Sequence, residues 1–320
     1  MDASKLLPLI GVLVFIVVLL NFNLQEIATT IAGADLLPLA MVLAIHVFII
    51  LLKAGKWKVI THAYEKPAGL IQCVHAWLVG FVIGIVTPGR IGEFSKAYYL
   101  RKTMSMGRGM ATIVVDRITD ITVLFTLAIL GVVTFIYVYS GAISLSVMVL
   151  LIIPFMAFLL AAFLFLTRKD MVRRLARPLF SRLVPVRHKE GMRATFHEFY
   201  LGMNDIRNSA NLVLISMLLT VLSWLIIIIQ YSLIALSLSL SIDYLFLLSV
   251  VPIVILLDTL PISFSGLGTR EVALIFFLGI IHVPAEAAIS FSILIFLVNY
   301  MAFVPVGLLF WFIRPIRISQ

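Results

Sequence analysis

The chain has 320 residues, 62% of them hydrophobic and only 12% charged, with a mean hydropathy of +1.17. Soluble domains run at about 45–50% apolar and about 25% charged, so a soluble enzyme, a nucleic-acid binder and a disulfide-stapled secreted module are all excluded, and the class is an all-α polytopic membrane protein. The net charge of +9 fits basic cytoplasmic loops and calls for no nucleic-acid partner, while the single cysteine, Cys73, permits neither an internal disulfide framework nor a multi-cysteine metal site.

The first apolar run, 6–21, lacks a small-x-small cleavage site before the polar stretch Asn21–Gln25 and reads as a retained anchor. The runs 36–52, 111–139, 143–166, 211–237 and 287–312 approach or exceed the ~20 residues of a spanning helix. Three others, 70–86, 244–257 and 272–281, are too short. They adjoin the breaks Thr87-Pro88-Gly89-Arg90-Ile91-Gly92-Glu93 and Pro261-Ile262-Ser263-Phe264-Ser265-Gly266-Leu267-Gly268-Thr269-Arg270-Glu271. Proline and glycine end helices there, and in hydrocarbon such backbone survives only where protein or water shelters it. The spacing therefore predicts about six transmembrane helices plus two re-entrant helix pairs, 70–86 with 92–104 and 244–258 with 267–281.

With the N-terminus and C-terminus cytoplasmic, 22 of the 24 lysines and arginines fall on inner segments, and the outer connections 22–35, 140–143, 238–243 and 282–284 hold none. Lys53, Lys56 and Lys96 are counted among the inner residues; only Arg117 and Arg270 remain at membrane depth. The two halves then form an inverted-topology repeat of the kind that builds secondary transporters. The domain reading is an N-terminal membrane half, 1–167, containing the first re-entrant pair (70–104); a basic connector, 168–210; and a C-terminal half, 211–320, containing the second pair (244–281). Leu175, Leu179 and Phe180 in the connector suit either an amphipathic helix on the inner leaflet or a solvated loop whose charges fix topology.

An ionised residue at mid-membrane costs at least ~2.5–3.5 kcal/mol, so each such residue carries two readings. Asp116, Arg117 and Asp120 are either a self-satisfied ion cluster or a headgroup contact (Arg117) with its orienter (Asp120) and Asp116 in support. Arg90 with Glu93, and Arg270 with Glu271, open the helices after the two breaks, where a helix N-terminus and a guanidinium fork suit a phosphate. Gly89, Gly92, Gly266 and Gly268 would let a ligand approach the backbone. Glu93 and Glu271 equally suit helix capping, arginine locking or proton uptake, and Asp258 shares that ambiguity. The six histidines form no ligand spacing, so no metal and no cofactor is expected.

The motif Pro88-Gly89-Arg90-Ile91-Gly92-Glu93, followed by Lys96-Ala97, Leu100, Gly107, Ala111 and Asp116-Arg117-x-x-Asp120, resembles the flippase-like family named for the transmembrane region of lysylphosphatidylglycerol synthases. Pro261 through Gly266-x-Gly268-x-Arg270-Glu271-x-Ala273 is similar to its second signature. The resemblance spans nearly the whole chain and implies a lipid-translocating module. Larger relatives move aminoacylated phosphatidylglycerol between leaflets, and stand-alone members are linked to polyprenyl-phosphate or glycolipid handling. No aminoacyl-transferase domain follows Gln320, so lysyl transfer is not expected, and Asn299-Tyr300 stands where many relatives are expected to carry arginine.

The expectation is a non-enzymatic lipid flippase or scramblase of the cell membrane, acting on membrane lipids with anionic, phosphate-bearing headgroups. Homo-oligomerisation and a separate lipid-modifying enzyme are both compatible with it. The alternatives are an integral-membrane transferase acting on a lipid-linked sugar, with Glu93 or Asp120 as base, and a small-solute or ion-coupled secondary transporter.

Overall fold

The longest apolar runs become the longest helices. A computed structural model describes residues 7–140, 189–259 and 265–313, together with 153, 156–158, 160 and 263. Apart from 153, 156–158 and 160, which are helical, the expected helix at 143–166 lies outside the described residues, as do the first part of the connector, with Leu175, Leu179 and Phe180, and Pro261, Phe264, Arg314 and Arg317. The described residues are helical and contain no strand.

In chain order the helices are α1 (Leu7–Asn21), α2 (Leu24–Ala32), α3 (Leu36–Thr61), α4 (Leu70–Ile85), a 3-10 segment (Pro88–Ser95) running into the short α5 (Lys96–Tyr99), α6 (Met106–Phe135), α7 (Lys189–Arg207), α8 (Ala210–Ser237), α9 (Tyr244–Asp258), α10 (Thr269–Ile280), α11 (Ala285–Asn299) and α12 (Val304–Ile313). Among the described residues four stretches are long and apolar enough to cross a membrane, Leu36–Thr61, Met106–Tyr139, Ala210–Ser237 and Ala285–Ile313, and the bent pair Val12–Asn21 and Leu24–Ala32 makes a fifth if it is one span. Helix α3 alone, at 26 residues, is about 39 Å long, ample for a ~30 Å hydrocarbon core.

The boundaries depart from expectation where polar residues find partners. Helix α3 continues past residue 52 to Thr61 because Lys56 meets carboxylates on α6 and Trp57 Nε1 donates to Thr112 Oγ1 at 3.0 Å. Lys56 and Lys96 are 2% and 1% exposed, so they lie within the protein and not on its inner surface. The connection at 22–35 contains α2, capped by the Asn23 side chain and turned by 96° from α1. Helix α6 starts at Met106, where the Ser105 hydroxyl accepts the Arg108 N–H. Helix α11 ends at Asn299, and a 3-10 turn separates it from α12. In the connector, α7 packs against the start of α6, with Met203 and Ile206 buried and Arg108 bonded to Glu198 and Asp205 at 3.5 and 3.6 Å.

Two apolar cores result. One joins Val42 of α3, the second half of α6 (Ala128–Phe135), α8, α9, α10 and α11. The other joins the end of α3, α4, α5, the start of α6, α7 and Phe303. Helices α3 and α6 run through both, and the charged residues of α6 fall between them.

Helices α6 and α9 are in close backbone contact at Gly131, where an added Cβ would overlap the Ser249 carbonyl. Backbones pack this tightly in membranes through small residues. Replacing Gly131 by valine is expected to cost about 1–3 kcal/mol and to lower the unfolding temperature in detergent. Gly279→Ala, which meets nothing within 4 Å, should leave it unchanged.

Candidate functional site

The first break is built by Thr87. Its hydroxyl donates to the Ile83 carbonyl at 2.9 Å and accepts the Gly92 N–H at 2.8 Å, turning the chain sharply after α4. Arg90 takes a left-handed φ of 55° in this turn. The following 3-10 segment folds back along α4, and Gly80 and Gly84 leave room there for the Lys96 and Glu93 side chains.

Glu93 is the hub of the first half. It is 4% exposed. Lys96 Nζ lies 2.7 Å from it, Arg117 of α6 forms a short ion pair with it, and Arg90 lies at 4.0 Å. One helical turn away, Lys56 of α3 bridges Asp116 and Asp120 of α6 at 2.7 Å each. Lys53 sits one turn before Lys56, its ammonium 5.0 Å from the centre of the Trp224 ring on α8. Among the described residues no carboxylate is in ion-pair range of Lys53. Five cations thus face three carboxylates in this half.

The second break holds the reverse balance. Arg270 is fully buried between Asp258 and Glu271, at 3.7 Å from each. Glu271 is well satisfied: it accepts the Gly268 N–H at 2.6 Å and the Ser292 hydroxyl at 2.6 Å, while Arg270 Nε donates to the same serine at 2.9 Å. The Asp258 oxygens accept no hydrogen bond from any described residue.

The two breaks meet. Ser265 Oγ donates to the Ile85 carbonyl at 3.2 Å, joining the second tip to the end of α4. Tyr300 stands between the arginines: Arg90 lies 5.6 Å and Arg270 5.8 Å from its ring centre, and Arg90 donates to its hydroxyl at 3.2 Å. Beside this junction is a cavity of about 140 Å³, roughly ten times the 10–15 Å³ one water requires. Lys53, Arg90 and Arg117 line it with Glu93, Asp120 and Asp258, and Trp77, Phe81, Trp224 and Tyr300 form aromatic walls. Arg90 and Arg117 keep about a third of their side-chain surface exposed, at 32% and 30%.

The sequence profile of the lysylphosphatidylglycerol synthase TM region family matches residues 6–307. The chain belongs to that family. The UPF0104 membrane protein MJ1595 of Methanocaldococcus jannaschii is 26% identical over 312 residues, covering 93% of this chain and 91% of that protein. A UPF0104 membrane protein of Methanothermobacter thermautotrophicus is 24% identical over 320 residues, covering 95% and 93%. It is thus a multi-pass membrane protein of that family.

In this family member, Arg90, Glu93, Arg117, Asp120 and Asp258 converge on one cavity. Asp116, Arg270 and Glu271 stand behind the wall and reach it through partners. The glycines do not line it: Gly89 and Gly92 sit in the first turn, Gly92 against the Ile83 carbonyl, Gly266 covers the Asp258 carboxylate, and Gly268 caps α10. The sequence reading counted Lys53, Lys56 and Lys96 to the inner surface and did not place them, or the aromatic wall, at the site. For the first two lysines a signal was their three-residue spacing, which continues one face of α3.

Lys56→Met strands two buried carboxylates and is expected to destabilise the protein by about 3–5 kcal/mol, read as a lower unfolding temperature. Adding Asp116→Asn and Asp120→Asn should restore most of the loss.

Proposed function

We propose that this protein translocates a phosphate-bearing lipid between leaflets of the cell membrane as a flippase or scramblase, without chemistry of its own. The carrying observation is the cavity at the junction of the two breaks, where Lys53, which has no carboxylate in ion-pair range among the described residues, joins the part-exposed guanidinium groups of Arg90 and Arg117. A guanidinium fork and a neighbouring ammonium bind phosphate oxygens by charge-assisted hydrogen bonds. The headgroup enters the cavity, stacking against the aromatic walls, while its acyl or prenyl tails remain in lipid. Family membership supports a lipid-related role.

The same proposal takes the chain as six spans with two re-entrant pairs, 70–104 and 244–281, in an inverted repeat with both termini cytoplasmic. The lateral contact of the two breaks supports it, since tips entering from opposite faces meet at mid-depth. Rocking one half against the other then exposes the cavity alternately.

Cysteines replacing Glu65 and Lys102, at the outer ends of the first pair, should react with an impermeant thiol reagent from one side of the membrane in a Cys73→Ser background. Those replacing Ser241 and Pro284 should react from the other. Opposite-side labelling of Glu65 and Lys102 would convert the pair into two full spans and dismantle the repeat.

In vesicles of phosphatidylcholine and phosphatidylglycerol with trace fluorescent phosphatidylglycerol, the wild type should speed exchange between leaflets. Arg90→Lys and Lys53→Met should fold normally yet slow it by ~10-fold or more, the equivalent of one lost charged contact. Undiminished exchange by well-folded Arg90→Lys would refute the headgroup assignment. Uptake of radiolabelled inorganic phosphate without lipid exchange would assign the cavity to a small anion instead.

A further inference from the structure

The second break contains a charge that its surroundings do not balance. Arg270 is the one cation in contact with both Asp258 and Glu271 among the described residues. Glu271 also holds a backbone N–H and a serine hydroxyl, so its negative charge is well received. Asp258 has neither. Its side chain is 2% exposed, and among the described residues both its oxygens lack a hydrogen-bond donor and the two terminal nitrogens of Arg270 lack an acceptor. A buried carboxylate in this setting must find a partner or lose its charge.

The other groups facing Asp258 do not supply that partner. From α8 comes the Tyr231 phenol, from α10 Arg270 and Glu271, and across the cavity Arg90, which is engaged with Tyr300 and Glu93. The second tip leans directly on the carboxylate through Gly266, held at a φ of 82° between Ser265 at 49° and Gly268 at 87°. Ser265 in turn bonds to Ile85 at the first break. Asp258 also lines the cavity, which gives protons in cavity water a route to it.

From this arrangement we propose that Asp258 is a proton-binding site, loaded from and emptied to cavity water, whose occupancy governs the contact between the two breaks. Loading transfers one proton from water to a carboxylate oxygen and takes the Asp258–Arg270–Glu271 group from a charge of −1 to neutral; emptying returns it. The protonated acid gains an O–H donor beside the Ser265–Gly266 backbone, and the ionised form draws on Arg270 more strongly. Either change reaches Ile85 through Ser265. What the proton drives rests on the transport reading above; the proton site itself does not.

Two measurements separate these claims. Infrared difference spectra of the purified wild type in nanodiscs should show a carboxylic-acid C=O band that titrates between acidic and alkaline pH. Asp258→Asn should abolish it, and Asp205→Asn, which alters an acid partnered by Arg108 on α6, should retain it. Absence of the band, its survival in Asp258→Asn, or its loss on adding sodium at fixed pH would overturn the site. In vesicles with fluorescent phosphatidylglycerol, one pH unit of gradient should shift the leaflet distribution by about tenfold for one-proton coupling, and Asp258→Asn should show no shift. Exchange by the wild type that ignores the gradient would overturn coupling. A titrating band with no lipid exchange under any condition would leave the proton site standing and defeat the lipid reading.

Discussion

Ionised side chains surrounded by apolar packing must be neutralised, and the architecture follows from how that is done. The apolar faces of these helices would be nearly as well accommodated by lipid tails as by each other. Ion pairs discriminate where hydrocarbon contacts do not. Lys56 sets the register of α3 against α6 through Asp116 and Asp120, and Glu93 ties the first break to α6 through Arg117 and to α5 through Lys96. The resulting charged layer sits between two apolar cores that share the same long helices.

The breaks serve that layer. Interrupted backbone packed away from water needs internal acceptors and donors, and Thr87 and Ser265 provide them. The two interruptions are not equivalent in charge. Cations outnumber acids around the first, while acids outnumber the single arginine at the second. A molecule entering the cavity beside them meets Lys53, Arg90 and Arg117 interleaved with the carboxylates of Glu93, Asp120 and Asp258. Tyr300 keeps Arg90 and Arg270 apart while touching both.

Much of this was legible in the residues. Length and hydropathy located the long helices, proline and glycine located the breaks, and the cost of intramembrane charge singled out Arg90, Glu93, Arg117, Asp120 and Asp258. Lysines adjoining an apolar run were a different matter. Counting them toward the inner surface is sound statistically, yet Lys56 finds its acids 60 and 64 residues away, a pairing no local pattern contains. The glycines of the breaks looked like places for ligand approach, but Gly92 and Gly266 admit the protein's own Ile83 carbonyl and Asp258 carboxylate. Asn299-Tyr300 read as a missing arginine, whereas the ring of Tyr300 joins the two arginines already present.

The bridge from Lys56 to α6 also constrains how the chain is made. Helix α3 emerges from the ribosome before its acids exist, and at roughly 5–20 residues per second the wait lasts on the order of several seconds. During that interval a lysine that ends up 2% exposed has no carboxylate to meet. The end of α3 must therefore stay near the headgroups or within the insertion machinery, sliding to its final depth when α6 arrives. Insertion of these two helices is a single event in energetic terms, although synthesis delivers them separately.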